Sequence, residues 1–144
     1  MYKKILVPLD GSALAEKVLP HAQALAKSEG AEIVLLRVPV IRNTAFVAQD
    51  PTIISITIKD IIDETKKYID TKVSKLRNEG NEVTGLTRSG SVPETILVAA
   101  EETHADVIAM STHGRIGLSR WIKGSVAGKV VHDSHVPVIL IHPN

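Results

Sequence analysis

The chain has 144 residues, 44% of them hydrophobic and 23% charged, which fits one soluble globular domain with a core of its own. Seventeen Lys+Arg against sixteen Asp+Glu leave a net charge of +1, and aromatic residues are 3%, so neither a polyanion-binding surface nor a base-stacking platform is expected. With no cysteine, thiol catalysis, disulfides and cysteine-held metals are excluded.

The opening Met1-Tyr2-Lys3-Lys4 lacks the apolar core of a signal peptide, and no apolar run nears the roughly 18 residues of a membrane span. A cytoplasmic protein with no membrane and no nucleic-acid partner is the expectation. Ile5 to Leu9 reads as a buried strand. Ser12 to Ser28 reads as a helix with Leu14, Val18, Ala22 and Leu25 on one face, bent by Pro20 inside it. Gly30 stops that helix, and Ile33 to Val38 is a second apolar strand.

Residues 39–57 read as a long irregular connection punctuated by Pro39, Asn43, Asp50 and Pro51. Helical period returns from Ile58, with Ile62, Thr65, Ile69, Val73 and Leu76 on one face and Gly80 at the end. Glu82 to Arg88 is a more polar third strand. Ser91 and Glu94, three apart around Pro93, form a capping-box pattern that opens a helix to Glu102. Asp106 to Met110 is the fourth strand, Ile122 to Asp133 a helix and Val138 to Ile141 the fifth strand. Alternating strands and helices predict an α/β fold: a three-layer, doubly wound, five-stranded parallel sheet.

In such sheets, ligands bind beyond the carboxyl ends of the strands, where the strand order reverses. Two strand ends carry suitable residues. At the first, Asp10 precedes Gly11 and Ser12: the carboxylate serves either as a helix cap or as an acceptor for a ribose hydroxyl or a divalent cation. The second is Ser111-Thr112-His113-Gly114-Arg115, followed by Gly124-Ser125 at a helix start. Glycines allow close backbone approach, and unpaired N–H groups at a helix start attract an anion. Neither a P-loop nor a Gly-x-Gly-x-x-Gly fingerprint is present.

These segments, with the closing Val136-Pro137-Val138-Ile139, resemble the universal stress protein family over nearly the whole chain, with residues 39–57 as the variable part. The resemblance implies one domain over residues 1–144, Rossmann-like and of the adenine nucleotide alpha hydrolase-like kind. It also implies a homodimer that binds ATP, alone or with Mg²⁺, through Gly-x2-Gly-x9-Gly-Ser/Thr. Here the spacing is Ser111-x2-Gly114-x9-Gly124-Ser125. By the same resemblance, Pro8, Leu9 and Asp10 meet adenine and ribose, Val38 borders the adenine, and Met110 and Ser111 lie against the sugar and first phosphate. Gly114, Arg115, Gly124, Ser125 and Val126 present amides to the phosphates, with His113 beside them. Ser111 replaces the first motif glycine; its side chain disfavours positive φ, while its hydroxyl is a further donor for phosphate or ribose.

Three readings follow. The first is a cytoplasmic, nucleotide-responsive stress or regulatory dimer, with at most slow ATP hydrolysis because no catalytic base accompanies His113. The others are an interaction dimer of the same fold without nucleotide, and an adenylyl-transferring enzyme, whose tandem-glycine loop is missing after the first strand. His132 and His135 sit near a helix end, where positive charge complements the helix dipole; which residues would hold a metal stays open. The apolar run Val136 to Ile141 falls on an edge strand, to be covered by its copy in a two-fold dimer or by the 39–57 segment.

Overall fold

The computed structural model describes residues 1–40, 51–112 and 125–142. Five parallel strands, β1 (Lys4–Leu9), β2 (Glu32–Arg37), β3 (Val83–Thr87), β4 (Val107–Ser111) and β5 (Val138–Ile141), form one sheet in the order β3-β2-β1-β4-β5. Among the described residues, four helices complete the layers: α1 (Val18–Glu29), α2 (Pro51–Asn78), α3 (Val92–Glu102) and α4 (Ser125–Asp133). This is the α/β, doubly wound architecture that the alternating pattern predicts.

Strand residues alternate between the two sheet faces, and each face has its own helices. Ile5, Val7, Ile33 and Leu35 pack with Val18 and Ala22 of α1 and with Ile69, Val73 and Leu76 of α2. Leu6, Val34, Leu36, Ile108 and Met110 pack with Ile96 and Ala99 of α3 and with Ala127 and Val130 of α4. Burial on both faces explains why β1, β2 and β4 read as unbroken apolar runs. Each fully buried aliphatic side chain of this kind contributes about 1.5–3 kcal/mol.

Several boundaries differ from the sequence reading. The first helix does not begin at Ser12: a 3-10 turn, Ala15–Lys17, precedes α1. Ser12 still caps, its Oγ accepting from the Ala15 amide at 3.1 Å, but it caps the 3-10 turn. Leu14 is therefore 40% exposed and not on the buried face. Pro20 falls in the first turn of α1, where backbone N–H groups lack intrahelical partners, so the expected break in hydrogen bonding does not arise.

The irregular connection is also shorter than 39–57, because helix α2 begins at Pro51. Proline suits a first helical position, where its fixed φ is already helical and its missing N–H is not needed. Thr65, Ile69, Val73 and Leu76 are buried as the periodicity predicts, whereas Ile62, one turn earlier, is 43% exposed. Ser91 is the N-cap of α3, but its hydroxyl bonds the Glu94 carboxylate and makes no side-chain cap to a backbone amide, so the reciprocal capping box is not formed. β5 runs Val138–Ile141 as expected, while ends of the other strands shift by one residue, β4 running on to include Ser111. The predicted start of the last helix at Ile122 lies outside the described residues.

Candidate functional site

The strand order reverses between β1 and β4. The first connection carries the chain from β1 to α1 on one face, and β4 leads towards α4 on the other. The β1–β2 ladder spans six residue pairs, Lys4↔Glu32 to Leu9↔Arg37, whereas the β1–β4 ladder is confined to Ile5↔Val107 and Leu6↔Ile108. Beyond Leu6 the two central strands are no longer paired with each other. Their carboxyl ends, Leu9 and Ser111, flank the crevice that the topology creates.

On the β1 side, Gly11 has φ +88°, a left-handed conformation that glycine adopts without strain and that turns the chain sharply after Asp10. Asp10 Oδ1 accepts from the Ser12 amide at 2.9 Å and from Ser12 Oγ at 2.6 Å. The carboxylate thus shapes the turn through one oxygen, and an ionised carboxylate offers about four acceptor sites in all. The alternatives of cap and ligand acceptor are compatible here: Ser12 is the cap, and Asp10 orients it.

Of the apolar candidates, Val38 stands just after β2 and Met110 within β4. Both are buried and belong to the same core cluster. Pro8 is half-buried opposite Leu36 in the ladder, and Leu9 is buried on the other face. Val126 is half-buried in α4 and packs on the Met110 side, while Ser125 is the first residue of α4. His113, Gly114, Arg115 and Gly124 lie outside the described residues, as do Leu118, Trp121 and Ile122.

Ser111 departs from its expected role. It is only 8% exposed, and its Oγ donates towards the carbonyls of Leu14 at 3.1 Å and Ala15 at 3.2 Å. A hydroxyl has one proton, so this donor is committed to the 3-10 turn and not to a phosphate or ribose. The feared backbone conflict does not arise either. Ser111 is the last residue of a parallel strand opposite Ile141, and among the described non-glycine residues positive φ is confined to His104. Serine occupies this motif position without strain, and it ties the end of β4 to the β1–α1 connection.

The amide of Thr112 donates to Ile141 O at 2.9 Å, carrying the β4–β5 ladder to the last residue before the motif loop. Behind α4, Lys129 Nζ pairs with Glu94 Oε1 at 2.6 Å. Hydrogen bonds from Lys129 and Ser91 hold the Glu94 carboxyl down at about 2. This exposed pair links α3 to the helix that begins at Ser125, while Ile96, Ala99, Ala127 and Val130 supply the apolar packing between them.

The sequence reading missed a second cluster beside Asp10. Tyr68 of α2 donates its hydroxyl to Glu16 Oε2 at 2.5 Å, and Lys72 Nζ donates to Glu16 Oε1 at 2.9 Å. Arg37, at the end of β2, places its guanidinium carbon 4.9 Å from the centre of the Tyr68 ring. Burial pushes the Glu16 carboxyl up, but the hydrogen bonds from Tyr68 and Lys72 and the charges of Lys72 and Lys75 outweigh it and leave the group below its ordinary value. Burial, the bond to Glu16 and the charges of Glu16 and Asp10 push the Tyr68 phenol up, against Arg37. The phenol is a fixed donor. The spacing of Tyr68 and Lys72, one helical turn apart, is the sequence signal that places both on one face.

Among the described residues no group of three or more His, Asp or Glu side chains is arranged to hold a metal. His132 Nδ1 lies 2.7 Å from Asp133 Oδ1 at the end of α4. A cavity of about 480 Å³, lined by His104, Ala105 and His135 among others, opens at the amino ends of β4 and β5, on the sheet edge opposite the crevice.

A five-stranded parallel sheet with helices on both faces and its crevice at the β1–β4 reversal defines a Rossmann-like α/β protein. Residues 1–142 match the universal stress protein family, and the chain belongs to it. It is 32% identical over 142 residues to universal stress protein MJ0531 of Methanocaldococcus jannaschii, covering 98% of this chain and 82% of that relative. The solved structure of MJ0577, a universal stress protein of the same organism, superposes with a TM-score of 0.86 at 30% identity, covering 100% of this chain and 98% of that one. The universal stress protein from Archaeoglobus fulgidus in complex with dAMP superposes with a TM-score of 0.68 at 27% identity, covering 97% and 98%. No helix among the described residues is long and apolar enough to cross a membrane.

Proposed function

We propose that residues 1–144 form a single adenine nucleotide-binding domain whose ligand is ATP, and that it acts as a homodimeric, nucleotide-responsive regulator in the cytoplasmic stress response. The observation that carries this reading is the reversal of strand order between β1 and β4, which sets Asp10 and Ser111 at neighbouring strand ends. The spacing Ser111-x2-Gly114-x9-Gly124-Ser125 supports it from the sequence. So does the dAMP held by the Archaeoglobus relative.

Three described residues support an adenosine as the ligand's first part. Val38 and Met110 offer buried apolar surface to a flat base, and Asp10 is an acceptor for ribose hydroxyls. ATP supplies that base, the hydroxyls and a polyanionic tail. Gly114, Arg115, Gly124, Ser125 and Val126 would hold the tail through backbone amides, with Mg²⁺ as the accompanying cation. A helix start favours an anion by about 0.3–1 kcal/mol, and each hydrogen bond to a charged oxygen contributes about 1.5–3 kcal/mol. Binding is the function, and turnover is at most slow.

The test is to denature the purified chain, separate the released small molecules by ion-pair chromatography, and titrate the stripped protein with ATP and Mg²⁺ by calorimetry. Bound adenylate or saturable heat is the expected result. No nucleotide, no heat and no thermal shift would leave an interaction dimer in its place. Steady turnover near about 1 s⁻¹ would make the protein an enzyme.

The dimer reading rests on β5, the half-buried outer strand of the sheet. Ile108 N donates to Pro137 O and Thr112 N to Ile141 O, so the odd residues of β5 turn their backbone groups towards β4 and the even ones turn theirs outwards. Pairing with a second copy would use the outward N–H groups of Val138 and Leu140. Leu140→Pro removes one of them while sparing every bond to β4. Sedimentation is expected to show a dimer for the parent and a monomer for the variant; a monomeric parent would reject the dimer.

A further inference from the structure

The turn that presents Asp10 is held from both sides by side chains remote from it in sequence. On the β4 side, Ser111 Oγ reaches the carbonyls of Leu14 and Ala15. On the α2 side, both carboxylate oxygens of Glu16 are engaged, Oε2 by Tyr68 and Oε1 by Lys72. A carboxylate held at both oxygens by two donors on one helix face cannot rotate away from either without losing a charge-assisted bond. Between these anchors run Glu16 N to Ser12 O, Ala15 N to Ser12 Oγ, and Ser12 Oγ and N to Asp10 Oδ1, with the backbone of the turn joining them to the Glu16 side chain. Arg37 lies against the Tyr68 ring and so limits its tilt. The core on this face is closed by the buried aliphatic residues of α1 and α2, with Tyr68 packed against its edge.

We propose that Glu16, with Tyr68 and Lys72 as its donors, is a positioning residue for the nucleotide site: it fixes where the Asp10 carboxylate stands and thereby sets affinity for the ribose of an adenine nucleotide. The proposal rests on the reading that Asp10 accepts from ribose hydroxyls. Helix α2 takes part in ligand recognition without touching the ligand. Tyr68→Phe is the mildest probe, since it deletes the donor and keeps the ring that packs beside Arg37; Glu16→Gln removes the charge at nearly constant shape.

The experiment compares the parent, Tyr68→Phe and Glu16→Gln for affinity towards ATP and towards 2′,3′-dideoxy-ATP, with thermal unfolding measured alongside. Each variant is expected to bind ATP about fivefold more weakly than the parent, within the range that second-tier network residues exert, and to bind the dideoxy analogue as the parent does. Equal weakening for both ligands would overturn the proposal and leave a general structural role, as would unchanged ATP affinity in both variants. A parent that binds the two ligands equally well would remove the Asp10–ribose contact itself, and a parent that binds neither would remove the nucleotide reading; either result also ends the proposal.

Discussion

Replacing Asp10 by alanine is expected to weaken ATP binding by roughly ten- to more than a hundredfold, the equivalent of about 1.5–3 kcal/mol for a charge-assisted hydrogen bond lost from the site. The carboxylate has two duties, so two variants are needed to separate them. Asp10→Asn keeps an oxygen that accepts from Ser12 N and Oγ, and with it the turn after Gly11. It loses the charge that strengthens acceptance from ribose hydroxyls or draws a cation. Asp10→Ala loses both. Calorimetric titration should therefore rank the affinities parent, Asn, Ala. If Asn and Ala match the parent, Asp10 is a turn residue alone and the β1 end has no part in binding.

The second large effect is expected far from the crevice, at Gly85 in the middle of β3. A Cβ built there would stand 2.5 Å from Ile69 Cγ2 and 3.0 Å from Val73 Cγ2, both branch methyls with little rotameric freedom. The missing side chain is what lets α2 lie close on β3. Gly85→Val forces the helix off the sheet and should cost about 3 kcal/mol, at the upper end of the usual overpacking penalty. For a domain of this size the unfolding midpoint would fall by about 10 °C, which a thermal melt will resolve. A melt within a degree or two of the parent's would mean that α2 can back away cheaply, contrary to its tight seat.

How far the sequence carries depends on whether a signal is local. β1, β2 and β4 were legible because burial on both sheet faces writes them as apolar runs, whereas β3 stays more polar and β5 is half-buried. The last three turns of α2 were legible too, since Thr65, Ile69, Val73 and Leu76 repeat with helical period and are all buried. Helix starts were not. Ser12 is a true cap, but local chemistry does not tell a 3-10 turn from an α-helix, and Pro51 reads equally as a break or as a first helical residue.

The site divides along the same line. Asp10, Val38, Met110 and Ser111 were visible as strand-end residues, and the fold brings all four to the carboxyl ends of β1, β2 and β4. The partner of the Ser111 hydroxyl was not visible, because Leu14 and Ala15 lie 97 and 96 positions away. Nor was the bond from Tyr68 to Glu16, which spans 52 positions and exists only once the 3-10 turn before α1 lies beside α2.

The bond from the Thr112 amide to Ile141 has a further consequence. It fastens the last described residue before the Gly114–Gly124 motif to the outermost strand, the margin along which the proposed second subunit would dock. Whatever stiffens that margin stiffens the start of the motif as well, so under the proposed function assembly and ligand capture would draw on a single stretch of backbone, and loosening either should be felt in the other.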